Sequence, residues 1–203
     1  MAVREEIVLA LPSPRASIAR ASQVRSTWIA SSLRGLRERG HLERYFALLP
    51  EAYHEPVKTT AAGVWLPVDV AMAHYDAADR LQLSVNEILE LGTNATRTAH
   101  GGVVNVLRTL AGGAGATPWS LLAQLQRIWE KTWIGAAVGV TKLGPKEARI
   151  EIVQFPPAIY RQCRVGIRGV AIGMAEIFCA KAYAQEVPEL CTPLSLGVRL
   201  AWA

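Results

Sequence analysis

Apolar residues recur at helical spacing through the first two thirds of the chain. Over much of the last third they alternate at strand spacing. Val24, Trp28, Leu33 and Leu36 form one stripe after Ser22, an N-cap residue, and the stripe stops at Gly40. That predicts a helix over about 23–39. A short helix follows over 42–49 and ends before Pro50, and residues 51–67 read as a loop. Pro67 suits the first turn of a helix over about 68–81. Ser84 and Glu87 have capping-box spacing and open another helix to about His100. Gly101-Gly102 then breaks the pattern, Val103, Val106, Leu107 and Leu110 make a further stripe, and Gly112-Gly113-Ala114-Gly115 reads as a turn. Thr117-Pro118 starts a helix to about Lys131, with Leu121, Leu122, Leu125 and Ile128 on its core face.

The period changes at Trp133. Residues 134–141 are small and apolar, Lys142 to Lys146 is a turn, and Ala148, Ile150 and Ile152 alternate with polar neighbours, which predicts a hairpin with one wet face. After Phe155-Pro156-Pro157 a helix is expected over about 158–182. It carries Gly166, Gly169 and Gly173 on one nearly bare stripe, open to a close backbone approach or to a ligand. Strands over 183–187 and 194–202 close the chain. In the last one Leu194, Leu196, Val198, Leu200 and Trp202 share a face. The fold class is α+β: a helical N-terminal half packed on an antiparallel sheet, with a β-β-α-β-β C-terminal half. Residues 1–20, with the apolar run Ile7–Leu11, read as an N-terminal arm or edge strand, and 21–203 as a single ligand-binding-like domain.

Composition fits that reading. Of 203 residues, 51% are hydrophobic and 19% charged, so the chain can bury a core without staples. The net charge of +5 is concentrated early, in Arg15, Arg20, Arg25, Arg34, Arg37, Arg39 and Arg44. No nucleic-acid fold signature accompanies these arginines, so they read as a solvated face and no nucleic-acid partner is expected. Cys163, Cys179 and Cys191 are odd in number and contain no Cys-x-x-Cys pair, which argues against a disulfide framework or a structural zinc. The start of the chain does not read as a signal peptide and no stretch is long enough to span a bilayer, so a cytoplasmic protein without a membrane span is expected.

Candidate chemistry is sparse. His41, His54, His74 and His100 share no helix face at ligand spacing, so no metal site is expected. The glycine run at 112–115 follows a helix and precedes no Lys-Ser/Thr, so it is no phosphate loop. There is no nucleophile elbow, no nucleophile–base pair and no cofactor loop, and the chain is read as not an enzyme. What remains is aromatic and apolar. Trp129, Trp133, Gly166, Gly169, Gly173 and Trp202 are the residues read as a ligand pocket, against the alternative that the tryptophans are core and the glycines a packing seam.

Four stretches carry a resemblance: Val24–Leu49 with its Leu-Leu-Pro ending, Val64-Trp65-Leu66-Pro67, Trp129–Phe155 and Gly166–Trp202. In pattern and order the chain resembles the superfamily that joins TRAPP transport-complex subunits, four-vinyl-reductase ligand-sensing domains and haem-nitric-oxide-binding domains. Within it the chain is most similar to a paralogous family expanded in myxobacteria. The resemblance implies an apolar cavity between helices and sheet, often a homodimer, and ligand sensing or assembly rather than catalysis. Haem-binding members carry a Tyr-x-Ser-x-Arg motif that this chain lacks. The resemblance makes His100 the one candidate proximal ligand for a haem, and no cofactor is expected. Two functions follow: a sensory or regulatory domain binding an apolar small molecule as a homodimer, or a protein-interaction scaffold with a filled core.

Overall fold

The computed structural model describes residues 5–58, 63–98 and 116–203. Its main sheet has five antiparallel strands, β1 (Glu6–Leu9), β5 (Ala137–Gly144), β6 (Glu147–Val153), β7 (Ala182–Glu186) and β8 (Ser195–Trp202), in the order β1-β5-β6-β8-β7. The hairpin β5–β6 pairs Val138 with Ile152 and Val140 with Ile150, and β6–β8 pairs Ile150 with Val198 and Ile152 with Leu196. These period-2 residues share one face and are buried, because that face is covered by helices. The opposite face is wet and holds ion pairs: Arg149 grips Glu5 with two nitrogens at 3.0 and 2.8 Å, and Arg199 pairs with Glu147. The Ile7 run therefore occupies a sheet edge, paired to β5.

A second sheet, β3-β2-β4, joins β2 (Gln23–Arg25), β3 (Trp65–Pro67) and β4 (Trp133–Ile134). Both β2 and β3 depart from expectation. Residues 23–25 extend rather than coil because Val24 sits between two partners far off in sequence, Leu66 and Trp133. Helix α1 therefore begins at Ser26 and runs to Glu38. Helices α2 (Leu42–Leu48), α4 (Val68–Asp79) and α5 (Val85–Thr98) fall where the stripes place them, and a short α3 (His54–Lys58) lies inside the expected loop. The capping box forms as spelled: Glu87 N donates to Ser84 Oγ at 3.2 Å and Ser84 N to Glu87 Oε2 at 2.8 Å. The glycine breaks and apolar stripe at 101–115, and His100, lie outside the described residues.

Two expected helices are shorter than the pattern suggests. The span 118–131 is broken into α6 (Pro118–Leu122) and α7 (Leu125–Glu130) by a turn at Ala123-Gln124. One reason is visible at Gln126, whose side-chain oxygen accepts the N–H of Val138 at 2.8 Å and ties α7 to the start of β5. The last helix, α8, runs from Arg161 to Ala175 rather than over 158–182. Pro156–Ile159 forms a 3-10 turn and Tyr160 is extended. Helix α8 is then started by another helix: the Asp79 carboxylate, at the end of α4, accepts the N–H groups of Arg161 (2.9 Å) and Gln162 (2.5 Å). Those are two donors that a helix N-terminus leaves without internal partners.

Candidate functional site

The glycine stripe of α8 meets α5. A methyl on Gly169 would collide with the Leu89 carbonyl, and one on Gly92 with the Gly166 carbonyl, so the two backbones touch with no side chain between them. Thr93 stitches the seam by donating its hydroxyl to Leu89 O at 2.9 Å and Gly169 O at 3.1 Å. Gly173 packs against Thr93 and Thr96. Gly166 differs: the place of its own Cβ is empty.

On another face of α8 lies an apolar cavity of about 80 Å³. Val170, Ala171 and Met174 of α8 form one wall, and Val138, Ile150 and Leu200 of the sheet form a second. Leu122, Ile128 and Trp129 close it from α6 and α7, with Trp28 reaching in from α1. Among the described lining residues Thr132 is the one with a hydroxyl, and it is turned to Ile128 O at 3.4 Å; the indole N–H groups of Trp28 and Trp129 are likewise engaged, with the Tyr75 hydroxyl and Gly135 O. Most lining side chains are bulky, and Ala171 is the small one among those described.

The residues expected to form a pocket are thus divided. Trp129 borders the cavity. Trp133 lies behind it, 1% exposed, stacked on Trp129 at 5.9 Å and edge-on to Phe155 (4.8 Å) and Trp28 (6.2 Å). Its indole N–H has no hydrogen-bond partner among the described residues. Trp202 packs edge-on against Trp119 at 4.9 Å, away from the cavity lining. Gly169 and Gly173 belong to the seam with α5, Gly166 meets it through its carbonyl oxygen alone, and none of the three is among the described lining residues. Trp28 and the α8 residues Val170, Ala171 and Met174 were missed by sequence reasoning. The signal was available: positions 167, 170, 171 and 174 are themselves an i, i+3, i+4, i+7 stripe, overshadowed by the glycines beside it.

Titratable groups lie elsewhere. His74 of α4 is fully buried, with Nδ1 2.8 Å from the Tyr45 hydroxyl and Nε2 3.1 Å from Ser32 Oγ. Burial lowers its pKa to about 4, so it is neutral at pH 7. Trp28 donates its indole N–H to the Tyr75 hydroxyl at 2.5 Å. Burial pushes the Cys163 thiol far above its ordinary value and raises Cys179 too, which leaves neither a ready nucleophile. His54 bonds Leu49 O and His41 sits 3.8 Å from Glu87. Among the described residues no group of three or more His, Cys, Asp or Glu is placed to hold a metal.

The arrangement of a β-β-α-β-β sheet half, a covering glycine-striped helix and a helical N-terminal half matches known structures. It superposes on the Fe(II) unliganded H-NOX protein from K. algicida with a TM-score of 0.63 at 11% identity, covering 88% of this chain and 96% of that one. The A71G mutant of that protein gives 0.60 at 13% identity, with the same coverage of both chains. A protein described for modulation of haem redox potential by porphyrin distortion gives 0.55 at 14% identity, covering 88% and 99%. The chain shares the H-NOX fold. By sequence, no family model and no curated protein matches it. The α+β class and the order of the C-terminal half therefore agree with expectation, and the likeness to H-NOX structures is one of fold.

Proposed function

We propose that the chain is a non-enzymatic sensory or regulatory domain that binds an apolar small molecule between its helices and its main sheet. The observation that carries this reading is the cavity between α6, α7, α8 and the sheet, bordered by two indoles and branched aliphatic side chains. Support comes from the fold, whose solved neighbours include an H-NOX protein and a protein described in terms of its haem. The narrower kinship with the myxobacterial paralogous family and with TRAPP subunits, and action as a homodimer, rest on the order of elements and the stretches quoted above.

Haem is the cofactor the fold brings into question, and the described residues do not fit it. The cavity holds about 80 Å³, whereas pockets for drug-sized ligands run to about 300–1,000 Å³. No imidazole, thiol, phenol or guanidinium is among its described lining residues. Arg168, beside Ile167 of the wall, is engaged with Ala184 O at 3.2 Å and with Glu186 at 3.8 Å. His100 lies outside the described residues.

A native mass spectrum with an absorption spectrum of the same sample tests the reading. A small-molecule adduct, or a rise in melting temperature across a panel of apolar ligands, is the expected result. A bare chain with no ligand-induced shift, assembled into a defined oligomer, would replace this reading with the scaffold.

A further inference from the structure

We propose that the cavity takes a neutral molecule the size of a dissolved gas or a two- to three-carbon hydrocarbon, held directly on its walls without metal or polar anchor. The inference rests on reading the chain as an apolar-ligand domain and narrows what that ligand is. Three observations set its class. The first is volume: about 80 Å³ is roughly half of the ~150 Å³ engineered void known to admit benzene or xenon, which favours a guest smaller than benzene. The second is polarity. Among the described lining residues the polar side-chain groups are already engaged, the Thr132 hydroxyl with Ile128 O and the indole N–H groups of Trp28 and Trp129 with the Tyr75 hydroxyl and Gly135 O, so a ligand that needs a hydrogen bond would lose its water partners for nothing. The third is rigidity. One wall is the sheet, and another is α8, whose far side is locked backbone to backbone on α5 through Gly92 and Gly169. That wall cannot retreat to admit a larger guest without opening the seam.

The lining also supplies a reporter. Trp28 and Trp129 border the void, so a collisional quencher that enters it contacts their rings. A guest of two or three heavy atoms is held no more tightly than roughly millimolar. The site therefore responds over the concentration range of dissolved gases rather than trapping its ligand.

The test uses the full chain with xenon, ethane, benzene, myristate and haemin as probes, read by tryptophan quenching, melting shift and the absorption spectrum. Ala171→Leu pushes a larger side chain into the void, and Ile150→Val enlarges it by one methyl. Saturable quenching by xenon and ethane, at least tenfold weaker in Ala171→Leu and kept or strengthened in Ile150→Val, is expected, with no effect of myristate or haemin. Binding of benzene or myristate alone, lost in Ala171→Leu, would overturn the size class and leave the apolar-ligand reading standing. A Soret band with haemin, unchanged in Ala171→Leu, would overturn the direct, anchor-free site. No binding of any probe would remove both. Should Ala171→Leu fail to fold, an Ile150→Val affinity below the parent's would overturn the proposal by itself.

Discussion

Gly92 and Gly169 face each other across α5 and α8 so closely that the Gly92 Cα lies 3.0 Å from where a Cβ on Gly169 would stand. Gly169→Ala and Gly92→Ala should each destabilise the fold by about 2–3 kcal/mol or more, since the atoms they strike are backbone and overpacking of that kind forces the helices apart. Gly166→Ala should be neutral or stabilising by up to ~1 kcal/mol, because its Cβ meets nothing and alanine is the better helix former. Urea midpoints for the three variants check this. Equal losses at all three positions would mean that the seam is not where the stripe packs.

That seam shows what was legible in the sequence. The stripe 166–169–173 announced a close approach, and the two strand-spaced runs announced a hairpin and a closing strand with one oily face. The partner of the stripe was hidden, because Gly92 stands alone within an otherwise ordinary helix pattern. Elements made by distant partners were hidden as well. Val24 reads as helix until Leu66 and Trp133 flank it, and Arg161 has no local cap because Asp79 reaches it from another helix. For the candidate site, one of the six expected residues, Trp129, borders the cavity. Periodicity reports that a residue is buried, and says nothing of whether its neighbours fill the space.

Asp79 should matter more than an exposed helix-end acid. Asp79→Ala leaves the N–H groups of Arg161 and Gln162 unpaired at the start of α8, where capping groups are worth about 1–2 kcal/mol. Asp79→Asn should recover part of that loss, since one amide oxygen still accepts. Hydrogen exchange should show the first turn of α8 as the site of lost protection in Asp79→Ala. Uniform loss across the chain would argue against a local cap.

Acid should weaken the fold through His74. Its folded pKa of about 4 lies below the ordinary 6.5, so between those values the unfolded chain binds a proton that the folded chain does not. Stability is complete above pH 6.5 and declines as pH falls towards 4, by on the order of 3 kcal/mol in all, and this group adds no further loss below that. His74→Gln can keep bonds to Tyr45 and Ser32 without titrating. It should flatten the difference in urea midpoint between pH 7 and pH 4.5, even if it costs stability at both. An unchanged slope would assign the acid sensitivity to other groups.

The β7 edge of the main sheet is guarded by Arg168. β7 is the outer strand, and its Ala184 carbonyl accepts from Arg168 Nε at 3.2 Å while Arg168 and Arg164 both pair with Glu186 at 3.8 and 3.5 Å. The register pairs Ala182, Ala184 and Glu186 with Trp202, Leu200 and Val198, while Val187 N bonds Gly197 O. Counting back by twos, Ala184 is therefore at a position whose peptide groups turn away from β8. An uncovered edge of this kind is a template for another strand. Arg168→Ala removes both the carbonyl's partner and a charge, so it should raise self-association with concentration, measured by light scattering over a dilution series. Arg164→Ala leaves the Ala184 carbonyl covered and should change it far less. Equal association in the two variants would show that charge, and not the covered carbonyl, keeps the edge closed.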